Sequence, residues 1–129
     1  MGNRANIYIK DAPETGVWLY THWEGYRLPA VLQSALKRHQ RWDDSQYLSR
    51  IIFCEMVKDK PEGETGYGIS SQPCDGGYTL LIVNTGNQTV SLGDGRYGTT
   101  PIKSWGFTDY CALEMKDGGW EVLSPEEAE

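Results

Sequence analysis

The stretch "GVWLYTHWEGYRLP", residues 16–29, crowds Trp18, Tyr20, His22, Trp23 and Tyr26 into nine residues. An imidazole such as His22 can serve as a general base or as a hydrogen-bond partner of a ligand. Thr21 offers a second polar contact, and Glu24 or Asp43 could supply the acid that a small hydrolase would need. The same histidine could equally be fixed in a strand by packing, and both readings stay open. No serine or cysteine motif accompanies it, so no nucleophile–base pair is visible and the residues favour a non-enzymatic binding protein. The rings of Trp18, Tyr20 and Trp23 suit stacking on a planar base.

Arginines supply the complementary chemistry. Arg41, Trp42, Asp43 and Asp44 join two helical segments. A guanidinium can clamp a phosphate or carboxylate at two points. The rival reading is a corner pinned by its neighbours, with Asp43 pairing Arg41 or Arg50. Arg50 stands alone among apolar helical residues, so it must snorkel or meet a buried acid. "GETGYGISS" lacks the preceding strand and the following lysine of a phosphate-binding P-loop. Its N–H groups, with Ser70 and Ser71, could still hold an anion. The "DGRYGTT" loop carries Arg96 and Tyr97 at its tip and could close over a ligand. The 2 His and 3 Cys show no paired zinc spacing, so neither a metal nor a cofactor is expected.

The elements that must position these groups follow from periodicity. "NRANIYIKD" and "VWLYTHW" alternate with period two and predict an antiparallel hairpin across "APETG". Alternation sets Val17, Leu19, Thr21 and Trp23 on one face and Trp18, Tyr20 and His22 on the other. Trp23 is then expected in the core, and Trp18 and Tyr20 toward ligand or subunit. "RLPAVLQSALKRHQRW" shifts to helical spacing from Leu28 to His39, with Pro29 in the first turn. Asp44 can cap a second helix, "SQYLSRIIFCEMVKD", whose buried stripe Phe53 and Cys54 widen. "YGISS" is a short strand, and "YTLLIVNTGNQTVSLG" a hairpin around "NTGN". "SWGFTDYCAL" fits a strand or a short helix from Thr108, and "WEVL" a last strand. The order predicts an α+β fold, a mainly antiparallel sheet with two consecutive helices packed on one face. Residues 1–123 read as a single domain and 124–129 as an acidic tail.

At 129 residues the chain is of one-domain length, and its net charge of −6 disfavours a nucleic-acid polymer as partner. A local arginine pocket for a small anion remains compatible with that field. No run of apolar residues is long enough to span a membrane, and no signal peptide is visible. With an odd number of cysteines and no C-x-x-C, the expectation is free thiols in a reducing cytoplasm. An open sheet face bearing Trp18 and Tyr20 would be an apolar patch, which predicts a homo-oligomer.

Taken in order, "NRANIYI", "YTHWEGYRLP", "RWDDSQYLSRIIFCEM" and "ETGYGISS" resemble a family of small proteins spread among phages and bacteria. The similarity spans roughly residues 3–92 and rests on the YTHW…G…LP and RW.D..YL.RIIF blocks. It implies a compact cytoplasmic α+β domain and hands over no catalytic residue. As a class, small acidic phage proteins that sequester nucleotide-derived immune signals are similar in size and composition. Their ligands include cyclic oligonucleotides and cyclic ADP-ribose isomers. That similarity implies a protein that sequesters such a ligand to suppress host antiviral defence. Trp18, Tyr20 or Trp23 would stack, Thr21 and His22 would give polar contacts, and Arg41, Arg50 or Arg96, with Tyr97, would meet phosphates. The alternatives are an interaction protein that blocks a host factor with its aromatic face, or a hydrolase using His22.

Overall fold

Alternating residues at the start of the chain build a hairpin. Strand β1 (Ala5–Ala12) pairs antiparallel with β2 (Thr15–Thr21), setting Ile7 opposite Leu19 and Tyr8 opposite Trp18. The computed structural model describes residues 4–12, 15–59, 62, 66–74, 80–94 and 99–123. A 3-10 turn, Gly25–Arg27, leads into helix α1 (Leu28–Leu36), and α2 (Ser45–Val57) follows. Next come β3 (Tyr67–Ser70), β4 (Leu81–Asn84), β5 (Thr89–Gly93) and β6 (Pro101–Gly106). Two short helices close the described chain, α3 (Phe107–Cys111) and α4 (Trp120–Leu123). The 6-stranded sheet has the order β3-β2-β1-β4-β5-β6. Its pairs are antiparallel except β1 with β4, so the fold is α+β with a mainly antiparallel sheet.

One face of that sheet carries the main core. Ile7, Ile9, Leu19, Val83 and Val90 are buried together with Leu32 of α1, Ile52 of α2 and Phe107 of α3. Pro29 sits in the first turn of α1, and the Asp44 carboxylate caps α2 by accepting the Tyr47 amide at 3.1 Å. Helix α1 stops at Leu36, short of the apolar period that continues to His39. His39 takes a left-handed φ of 56°, and the Trp42 indole donates to the Leu36 carbonyl at 3.1 Å, satisfying a helix-end acceptor. Buried Gln33 is likewise accounted for. Its amide donates to the carbonyls of Tyr110, Cys111 and Leu113 at 3.0, 3.2 and 2.7 Å, tying α1 to the end of α3.

The opposite face is not open where Trp18 stands. Trp18 and Tyr8 stack with ring centroids 4.5 Å apart and are buried with Leu80 and Ile82. On the same face Asn6 pins Cys74 by donating to its carbonyl at 2.7 Å and accepting its amide at 3.1 Å. The C-terminal third also departs from expectation. "SWGFTDYC" divides at Gly106 into the end of a strand and a short helix. "WEVL" forms a helical turn rather than a strand, and the Trp120 indole donates to the Gly25 carbonyl at 2.7 Å. The acidic tail, residues 124–129, lies outside the described residues.

Candidate functional site

Strands lie about 4.8 Å apart and a helix is about 10 Å across. Two helices therefore cannot cover all of a 6-stranded sheet, and β3 lies at its edge. Ile69 of β3 pairs with Leu19, on the helix-bearing side, yet it is 60% exposed. Between this bare edge and α2 runs a groove of about 250 Å³. Val17, Leu19 and Ile69 wall it on the sheet side and Phe53 on the helix side, with Gln46 and Arg50 among its lining.

A cationic cluster adjoins the groove. The guanidinium carbons of Arg41 and Arg50 lie 4.6 and 4.7 Å from the centroid of the Tyr47 ring. Arg50 also donates to the Tyr47 hydroxyl at 2.8 Å, which raises the pKa of its guanidinium above the ordinary value. Its other terminal nitrogen reaches Cys54 Sγ at 3.6 Å. Cation–π attraction to one ring offsets part of the repulsion between the two cations. Among the described residues neither arginine forms an ion pair, whereas Arg38 and Lys58 share Glu55 and Arg27 pairs with Glu24. Asp44, Gln46, Tyr47 and Arg50 line a second hollow of about 280 Å³ beside the cluster. The Asp44 carboxylate, which lines this hollow, is engaged by the cap. A third hollow, about 190 Å³, lies between Gln46 and Val17, so Gln46 borders all three.

Arg41 itself holds a φ of 60°. A residue with a Cβ adopts that conformation at a cost of about 1–2 kcal/mol, and glycine would adopt it freely. The backbone geometry gives no reason for an arginine here; the side chain on Tyr47 does.

The structure thus brings Arg41 and Arg50 together and separates both from the "GVWLYTHWEGYRLP" aromatics. Trp18 is 7% exposed and Trp23 53%, the reverse of the expected core and surface assignment. The reason is that β2 ends at Thr21, so alternation no longer governs Trp23. Its ring instead lies over Gly66, where a Cβ would come within 2.8 Å of it. Thr21 is buried, and its hydroxyl accepts the amides of Trp23 and Glu24 at 3.3 and 3.1 Å, turning the chain out of the strand. Tyr20 is half-buried against Gly68. His22 tilts against Tyr20 with centroids 5.1 Å apart, and its buried Nδ1 has no hydrogen-bond partner among the described residues. Arg96 and Tyr97 lie outside the described residues.

Glu24 is engaged elsewhere, accepting from Arg27 and from the Tyr67 hydroxyl, each at 2.8 Å. Burial, then this hydrogen bond, pushes the Tyr67 phenol well above its ordinary range. Asp43 is exposed. Sequence reasoning missed Gln46, Tyr47, Phe53 and Ile69. The signal for the first three was present: positions 46, 50 and 53 share one side of α2, and 47 and 50 are three apart.

Among the described residues no group of three or more His, Cys, Asp or Glu could hold a metal ion. No helix among them is long and apolar enough to cross a membrane. No family model, no curated protein and no solved structure matches the chain.

Proposed function

We propose that this chain binds and sequesters a small nucleotide-derived ligand without transforming it, at the Arg41–Tyr47–Arg50 cluster. The observation that carries the reading is the pair of guanidiniums held on one exposed tyrosine ring with no carboxylate partner among the described residues. Two fixed cations facing solvent match a phosphate, which takes charge-assisted hydrogen bonds from both. The adjoining hollows give room for the rest of a small ligand. In the phage setting that the resemblance implies, withdrawing such a signal would blunt a host antiviral defence in the host cytoplasm. A homo-oligomer fits this reading through the edge strands, where Ile69 and Ile102 are exposed, rather than through Trp18.

The test is incubation with cyclic dinucleotides, cyclic ADP-ribose and linear mononucleotides, followed by denaturation and chromatography. Sequestration predicts retention with the protein and recovery intact, lost in Arg50→Gln and Arg41→Gly. Degraded ligand would point instead to a hydrolase at His22. A panel left unbound would favour an interaction protein, for which exposed Trp23 and Tyr26 are the contact residues.

A further inference from the structure

The groove beside the arginines has a composition the phosphate contacts do not need. Its walls are apolar, with Val17, Leu19 and Ile69 from two paired strands facing Phe53 from α2. Such walls accept a flat, weakly polar body and reject a hydrated one. At about 250 Å³ it falls below the roughly 300 Å³ at which whole-ligand pockets begin, so it seats one ring system and not an entire nucleotide. The remainder must lie outside, and the adjoining hollow, which shares Gln46 and Arg50, is where Arg50 and Tyr47 stand.

Gln46 decides what kind of ring fits. It is exposed on the first turn of α2 and borders both hollows, and its carboxamide makes no hydrogen bond to the described residues. A carboxamide presents one donor edge and one acceptor edge side by side. That pattern pairs in two-point fashion with the N6 amine and N7 of adenine. Guanine offers two acceptors at the corresponding edge, which suits an arginine rather than a glutamine. An alkyl chain would fill the walls but leave the carboxamide unanswered.

We infer that the groove between α2 and the β2–β3 edge is the seat of an adenine-type base read by Gln46, with its phosphate at Arg50 and Arg41. The inference rests on the phosphate site proposed above and adds the base seat and its selectivity. It assigns binding contacts to Gln46, Phe53 and Ile69.

The experiment is calorimetric titration of the full chain with AMP, GMP and hexyl phosphate. It is repeated for Gln46→Ala, Ile69→Asp and Arg50→Gln, all at exposed positions, with melting curves to verify folding. AMP is expected to bind about tenfold or more tighter than GMP, the discrimination of one two-point base contact. Gln46→Ala should bring the two within about threefold of each other, and Ile69→Asp should weaken AMP about tenfold. Arg50→Gln should weaken AMP and GMP alike. Equal binding of AMP and GMP, still dependent on Arg50, overturns the base seat and leaves the phosphate site standing. Hexyl phosphate binding tighter than AMP does the same. If none of the three probes binds, the base seat falls, and the phosphate site is decided by the cyclic nucleotides of the panel above.

Discussion

Trp18 and Trp23 show how five positions along one chain segment change a residue's work. Trp18 stacks on Tyr8 in a closed cluster, so Trp18→Ala should destabilise by about 3–5 kcal/mol, as large-to-small core changes do. Trp23 is 53% exposed, and Trp23→Ala should cost less than about 1 kcal/mol. Urea denaturation of both variants checks this, and equal losses would refute the assignment. Tyr67 carries a second residue-scale prediction. Burial and then the hydrogen bond to Glu24 raise its pKa, so the fold favours the neutral phenol over its unfolded value of about 10. A group raised in the fold contributes stability that is complete below about pH 10 and is lost as pH rises beyond it. Tyr110, fully buried, acts in the same direction. Burial also raises the Cys111 thiol, so Tyr67→Phe removes one of three such contributions, and the alkaline fall in urea midpoint should be shallower than in the parent. Superimposable profiles between about pH 9 and 11 would show that Tyr67 does not titrate differently in the fold.

At the scale of elements, the α1–α2 connection concentrates the strain and the function. His39 and Arg41 both hold left-handed φ angles, and the segment between the helices still delivers Arg41 onto Tyr47. Arg41→Gly should therefore leave stability unchanged or raise it by up to about 1 kcal/mol, because glycine adopts this conformation without a Cβ clash. The same variant should lose nucleotide binding. A loss of stability with intact binding would mean that the arginine serves the corner and not a ligand. This element also marks what a sequence can disclose. The Asp44 cap, the helix periods and the "NTGN" hairpin were legible, because each depends on neighbours within a few residues. The parallel pairing of β1 with β4 was not, since nothing local specifies which strand a returning chain will join. Alternation set Trp18 and Tyr20 on the correct face, but it is silent about the cluster with Tyr8, Leu80 and Ile82 that buries Trp18 there. "WEVL" read as a strand from its Trp and Val, and tertiary contact with Gly25 made it a helical turn. Of the site, Arg41 and Arg50 were legible by type. Arg50 on Tyr47 was legible as a three-residue spacing on α2, but Arg41 on the same ring was not, since a left-handed turn outside the helix delivers it, nor was Ile69, whose place depends on how far the helices extend.

The whole molecule is a sheet closed unequally on its two sides. Helices cover one face and leave the β3 edge bare, which creates the groove. On the other face Tyr8, Trp18, Leu80 and Ile82 form a closed cluster, and Asn6 on the same face holds Cys74. Asn6 is 1% exposed, and its carboxamide pairs with both backbone groups of Cys74. A hydrophobic side chain there could not replace either bond. Asn6→Ala leaves a partly buried N–H and C=O without partners, a penalty of about 1–3 kcal/mol. The consequence should be local before it is global. With the staple gone, the chain at Cys74 can open at a lower free energy than full unfolding. The three cysteines are free, and Cys74 alone sits at the staple, so it reports the opening. In Asn6→Ala, Cys74 should react faster with a thiol reagent under native conditions, while Cys54 and Cys111 keep their parent rates. If all three thiols accelerate together, the variant has lost global stability and the chain at Cys74 is no separate unit. If none does and the melting temperature holds, the chain at Cys74 is secured by contacts other than Asn6.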